Sequence, residues 1–175
     1  MNQMKLPKAL ITALLLTIAT TFSLIADAAE KREQSYVKTN FRTLYKTVLS
    51  VGDVPNHDVV QEANIADIKY SANSEFKIKE EWVYSQSDII DGSGTQSGYF
   101  YDTHEDGSHT YGAYKGTIKT SSKADGAWEA IWEGTYQFLG GSGKFKNIKG
   151  TGKYKGTASS HDPTGREEGK ETVEY

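Results

Sequence analysis

The stretch Trp128-Glu129-Ala130-Ile131-Trp132-Glu133-Gly134-Thr135-Tyr136-Gln137-Phe138-Leu139 decides the fold. Its even positions read Trp, Ala, Trp, Gly, Tyr, Phe, and its odd positions read Glu, Ile, Glu, Thr, Gln, Leu. Successive side chains of a strand point to opposite faces, so this alternation describes a strand with one aromatic, buried face and one mixed polar face. Thr110, Gly112, Tyr114, Gly116 and Ile118 repeat the pattern. Ser97–His104 joins that run through Glu105-Asp106-Gly107, and Asp-Gly between two strand-like runs marks a hairpin.

Outward from this centre the same grammar continues. Glu80–Ile90 reads as a strand with Trp82 and Tyr84 on one side, and Val59–Tyr70 as one or two short strands. Phe145–Thr157 reads as a strand or a pair broken at Gly150 and Gly152, and Glu168–Tyr175 as a closing strand. Of the 17 glycines only Gly52 precedes Gly92, and after Ala29 the prolines are Pro55 and Pro163 alone. Dense glycine without proline points to turns, bulges and barrel corners rather than a linker. Tyr36–Leu49 shows neither a strand nor a helix period and reads as a short helix or an irregular lead-in. No later segment has a 3.6-residue period. About eight strands with a turn every 8–12 residues or so describe an all-β sandwich or barrel, and a small closed antiparallel β-barrel is the first choice because closure leaves no exposed edges.

Residues 1–29 carry a different message. Lys5 and Lys8 precede the uncharged run Ala9–Ala26, which ends in Ala26-Asp27-Ala28-Ala29. A basic start, an apolar middle and an A-x-A-like end make a secretory signal, cleaved after Ala28 or Ala29. The run approaches the length of a membrane anchor, but threonines and Ser23 dilute it. The expected organisation is thus a signal at 1–29, a lead-in at 30–47 and a barrel at 48–175, in the periplasm or outside the cell, with no stable membrane span after cleavage.

The chain has 175 residues, with 20 Lys and Arg, 23 Asp and Glu, and no Cys. Without Lys5, Lys8 and Asp27 the remainder is acidic, about −4, which excludes the basic footprint of nucleic-acid binding. Absence of Cys excludes disulfides, thiolate nucleophiles and thiolate-bound metals.

The run Val51-Gly52-Asp53-Val54-Pro55-Asn56-His57, the Asp106-Gly107-Ser108 turn, Gly134-Thr135-Tyr136 and the segment from Gly140-Gly141-Ser142-Gly143-Lys144-Phe145 through Gly150-Thr151-Gly152-Lys153-Tyr154-Lys155-Gly156 resemble the allene oxide cyclase-like barrel superfamily, which includes the dirigent proteins. The similarity covers about residues 48–175 and is greatest to small bacterial members. It implies an eight-stranded antiparallel barrel, often dimeric or trimeric, with an apolar cavity and no metal or organic cofactor. In the plant members that cavity binds a fatty-acid-derived epoxide or steers a phenolic radical. No catalytic residue is carried over from the resemblance.

Several local features bear on chemistry. Gly140–Lys144 lacks P-loop spacing, with Phe145 where Ser or Thr belongs. His104 and His109 flank the hairpin turn near Asp102 and Glu105, where solvated histidines are the ordinary outcome, so no metal site is assigned. Gly92-Ser93-Gly94 lacks the spacing of a nucleophile elbow. Lys144, Lys146, Lys149, Lys153 and Lys155 read as outward, edge-guarding lysines. Glu133 opposes Trp132 in parity and should be exposed. Glu62 shares its parity with Val60 and is the candidate inward acid, able to act as a general acid or base among aromatics. The aromatic set Trp82, Tyr84, Tyr101, Tyr114, Trp132 and Tyr136 is the candidate ligand-binding surface, because inward rings of a small barrel either fill its core or line a cavity. Three functions remain open on these residues. One is a barrel binding a small apolar or aromatic molecule without a cofactor. The second is a cofactor-free cyclase or isomerase. The third is a structural barrel with a filled core. A homo-oligomer is compatible with each.

Overall fold

A computed structural model of the chain describes residues 30–175; the expected signal at 1–29 lies outside the described residues. Eight strands follow one another: β1 (Arg32–Ser50), β2 (His57–Tyr70), β3 (Ile78–Ile90), β4 (Ser93–His104), β5 (His109–Ser122), β6 (Trp128–Gly141), β7 (Lys149–Ser159) and β8 (Arg166–Glu174). Each pairs antiparallel with its sequence neighbours, and β8 returns to β1, closing the barrel. Among the described residues helix is confined to a single 3₁₀ turn at Gly143–Phe145, and no helix there is long and apolar enough to cross a membrane.

The alternation in β6 and β5 places the faces as the sequence indicates. Ala130, Tyr136 and Phe138 are buried while Glu129, Glu133 and Gln137 are exposed. The inward glycines, however, are not corners. Six of them are cross-strand partners of inward rings: Gly169 of Tyr36, Gly112 of Phe100, Gly98 of Tyr114, Gly156 of Trp132, Gly152 of Tyr136 and Gly134 of Tyr154. A Cβ added at Gly152, Gly169 or Gly156 would overlap the ring of Tyr136, Tyr36 or Trp132 respectively. The rings lie across the opposite backbone because nothing stands there to hold them off. The pairing register of β7 runs without a bulge through Gly150 and Gly152.

The residues read as a lead-in form β1 instead, and Arg32–Thr39 pair with β8 to close the barrel. Two register shifts, between Thr39 and Arg42 and between Thr43 and Tyr45, each put one extra residue into β1. Asn40 accommodates the first with φ of 55°, a left-handed conformation that asparagine tolerates better than most residues. A bulge reverses parity, so Tyr36 and Lys38 face inward, then Phe41 and Thr43 do. Beyond Arg42 the strand pairs with β2 alone and is exposed throughout. Two parity reversals and an arm wet on both faces erase the alternation that would have announced a strand.

One end of the barrel is plugged. Phe76, from the β2–β3 loop, packs at 4.9 Å against Phe145 and 5.9 Å against Phe138, and Tyr175 closes on Phe145 at 4.8 Å. Phe145 and Ile148, which the sequence placed within a strand, belong to the 3₁₀ turn and the loop after it, and both are buried in this plug. At the opposite end the β1–β2 turn is pinned to β3 by His57, whose Nδ1 lies 2.5 Å from Asp53 and Nε2 2.8 Å from Asp88.

Two outcomes follow from this packing. Gly152→Ala should destabilise the protein by about 1–3 kcal/mol in denaturant titration through overpacking against Tyr136, whereas outward Thr151→Ala should change it by less than about 0.5 kcal/mol. Hydrogen bonding to Asp88 and Asp53 raises the His57 pKa. A raised imidazolium contributes stability fully below the ordinary histidine range and loses it as pH climbs through the raised value. The melting-temperature deficit of His57→Gln should therefore be larger at about pH 5.5 than at about pH 9.

Candidate functional site

Between the aromatic plug and the open turns of the other end, the lumen holds a cavity of about 260 Å³. Inward positions of the strands line it: Tyr36, Tyr70, Phe100, Tyr114, Trp132 and Tyr136 supply rings, and Lys38, Glu81, Asp102 and Glu167 supply charge. A wider hollow of about 1380 Å³, bordered by Lys115, Lys153, Glu168 and Lys170, spans β5–β8 and the first part of β1, and it is open to solvent and rimmed by exposed charged side chains. The lumen is the ring-lined space inside the strands, closed at one end by the plug, and so the better ligand site.

Three of the six candidate aromatics line the cavity: Tyr114, Trp132 and Tyr136. Trp82, Tyr84 and Tyr101 are placed on the outer surface, which corrects the expectation for them. On β3 the inward face is odd, with Glu81, Val83, Ser85 and Ser87, and the rings occupy the even face. Trp82 stacks on Tyr84 with centroids 6.0 Å apart, and across the sheet Trp82 pairs with Tyr101 and Tyr84 with Tyr99. Tyr84 is 47% exposed. Glu62 has the expected inward parity but stands near the rim, half-buried and paired with Lys46 at 2.8 Å.

The buried acids are others. Lys38 Nζ lies 2.6 Å from Glu81 and 3.4 Å from Glu167 and sits 5.0 Å from the centre of the Tyr36 ring. Burial pushes this ammonium down, but Glu81 and then Tyr36 and Glu167 outweigh it and hold the pKa well above the ordinary lysine value. Burial raises Glu81 against the pull of Lys38. Glu167 accepts a hydrogen bond from Trp132 Nε1 at 2.8 Å. Glu171, deeper, accepts from Gln34 at 2.5 Å and from the Tyr136 hydroxyl, yet burial still raises its pKa. Asp102 is 2% exposed. Burial, then the charge of Glu81, lifts its carboxyl well above the usual range. Thr110 donates to its Oδ2 at 3.0 Å, while Oδ1 has no partner.

His104 lies behind this group, its Nε2 3.1 Å from Thr110 Oγ1. With Thr110 donating to Asp102, Nε2 carries the proton and donates to Oγ1, which leaves Nδ1 as the unpartnered ring nitrogen. Burial lowers the His104 pKa to about 4, so the ring is neutral. The trio is not a nucleophilic triad: the carboxylate bonds the hydroxyl instead of orienting the imidazole, and Thr110 is 0% exposed. His109 is instead tilted against outward Tyr101 at 5.1 Å, so the two histidines do not converge. Among the described residues no group of three or more His, Asp or Glu is arranged to hold a metal ion.

The sequence reading missed Lys38, Glu167 and Glu171 as interior groups. Glu167-Gly169-Glu171-Val173 does alternate, but glutamates on a strand are read as the solvent face. Lys38 was hidden in the stretch without a period.

No family model matches the chain, and no curated protein matches it. Among solved structures it is similar to a pterocarpan synthase dirigent protein, with 12% sequence identity over 83% of this chain and 86% of that one and a TM-score of 0.34. The closed eight-stranded barrel itself is read from the strand pairing.

An acid whose pKa is raised by folding weakens the native state as pH rises above its unfolded value, near 3.9 for Asp. Without ligand, Asp102→Asn should therefore stabilise the protein at neutral pH by roughly 1–3 kcal/mol, the scale of an unmatched buried polar group. The gain should vanish below about pH 4, as denaturant titrations at the two pH values would show.

Proposed function

We propose that the protein is an exported barrel that binds a small apolar or aromatic molecule in its lumen without a cofactor. The observation that carries this reading is the 260 Å³ cavity walled by rings on inward strand positions and closed below by the Phe76–Phe145 plug. A barrel serving only as a scaffold gains stability by filling such a space, since each unfilled volume forfeits packing contacts. The cavity is slightly below the roughly 300–1,000 Å³ usual for ligand pockets, which suits a body of one or two rings. Export rests on residues 1–29 and a place among allene oxide cyclase-like or dirigent-like barrels on the glycine-rich motif; both belong to this proposal.

A second reading, a cofactor-free cyclase or isomerase, is favoured by one observation: Asp102, raised in pKa by burial, borders the cavity. A carboxylic acid whose pKa is raised by burial holds its proton to higher pH than an exposed one and can donate it to a bound oxygen, and confinement among rings would orient a reactive chain.

Titration with the two-ring probe 2-naphthol, followed by quenching of Trp132, tests the leading reading. Binding should be saturable, and Ser87→Phe, which places a ring in the cavity, should weaken it by roughly tenfold or more with little change in melting temperature. Absence of saturable binding, or equal binding to the folded Ser87→Phe variant, would overturn it.

A further inference from the structure

The polar groups of the lumen are out of balance. Among the described residues, four interior carboxyls, Glu81, Asp102, Glu167 and Glu171, face one interior cation, Lys38, which is already committed to Glu81 and Glu167. Two carboxyl oxygens in this group, Asp102 Oδ1 and Glu81 Oε2, have no hydrogen-bond partner. They belong to cross-strand partners that both line the cavity. Each residue is at least nine-tenths buried. A cavity wall with buried, unpartnered carboxyl oxygens calls for a donor, and a donor that brings positive charge can hold Asp102 ionised beside Glu81.

The same lumen shows how it treats such a donor. The ammonium of Lys38 is held between two carboxylates and the face of a tyrosine. Asp102 offers similar surroundings. Glu81 stands beside it on β3, Thr110 donates from β5, and the charges of Lys38 on β1 and Glu171 on β8 and the ring of Tyr70 on β2 act on it, while Glu167 lines the same cavity beside Lys38. Phe100, two residues along the same inward face of β4, supplies a further ring.

We propose that the lumen's ligand is an organic cation, a protonated amine on a one- or two-ring body, with its ammonium seated against Asp102 and its body against the rings of Phe100, Tyr114 and Trp132. This rests on the lumen being a binding site and names the class of molecule it takes. A charge-assisted hydrogen bond and a cation–π contact in a dry cavity are each stronger than their exposed counterparts. The ammonium takes the place of the proton on Asp102, so R–NH₃⁺ plus the protonated carboxyl gives the ion pair and one proton released to solvent. Affinity for an amine therefore rises with pH while that carboxyl is being deprotonated and the amine remains charged. A neutral ligand that accepts a hydrogen bond from the protonated acid has the opposite slope.

The test compares three probes of one size, phenethylamine, 2-phenylethanol and phenylacetate, by calorimetry on the mature protein and by competition against 2-naphthol. Phenethylamine should bind roughly tenfold or more tightly than the alcohol, and phenylacetate more weakly than either. Its affinity should rise as pH climbs above the ordinary carboxylate range while the amine stays charged, and its heat should depend on the buffer's ionisation enthalpy, reporting the released proton. Asp102→Asn should reduce the amine-to-alcohol ratio to near one while still binding 2-naphthol. Should that variant not fold, the wild-type ratio and pH slope decide alone. Equal affinity for amine and alcohol, or affinity that falls with pH, would overturn the cation while leaving the lumen as a site. If neither the probes nor 2-naphthol bind, the lumen reading itself fails, and this inference with it.

Discussion

A ring laid over a glycine on the next strand is the contact on which this barrel depends. Tyr36 over Gly169, Tyr136 over Gly152 and Trp132 over Gly156 repeat the device around the wall. An eight-stranded barrel has an interior just wide enough to be filled by side chains. Rings standing upright from every inward position would collide. Lying flat across the neighbouring backbone, they take their room from a missing Cβ and leave the middle of the lumen unfilled. The same contact fixes register, because slipping one strand by a residue would bring a side chain beneath each ring. Fold, register and cavity are thus one consequence of alternating large and absent side chains.

Against this wall the interior charges look expensive. Burying an ion pair such as Lys38–Glu81 is weak evidence for stability, because desolvation offsets the attraction. Glu171 is satisfied by Gln34 and Tyr136, so it can be counted as structure. Asp102 cannot, since one oxygen is unmatched and Glu81 beside it repels its charge. Sites that violate the rules of stable packing are where function is usually lodged. The plug on the other side of Asp102 is consistent with this division, being dry, aromatic and tightly packed, with His104 held neutral within it.

Much of the fold was legible because β5 and β6 are ideal strands, with one face wet and the other buried, and the Asp106-Gly107 turn announced their neighbour. β1 was illegible for a local reason: two bulges reverse its parity, and the arm beyond Arg42 has no dry side. β3 was recognised as a strand but its faces were exchanged. Its even face carries Trp82 and Tyr84, its odd face Glu81 and Ser85, and hydrophobicity alone puts the rings inside. The sheet places them outside, against Tyr99 and Tyr101, because Glu81 is drawn inward by Lys38.

The alternation of the chain by itself determined that it is all-β with rings on the buried face of several strands, since a period of two has only one structural meaning and it is written into neighbouring residues. Which acids are interior was decided only by closure. Lys38 and Glu81 are 43 residues apart, and neither carries a local mark of burial. Their meeting depends on β1 joining β8 and on β1, β2 and β3 standing side by side, and a charge becomes tolerable inside only after its partner has been brought within reach.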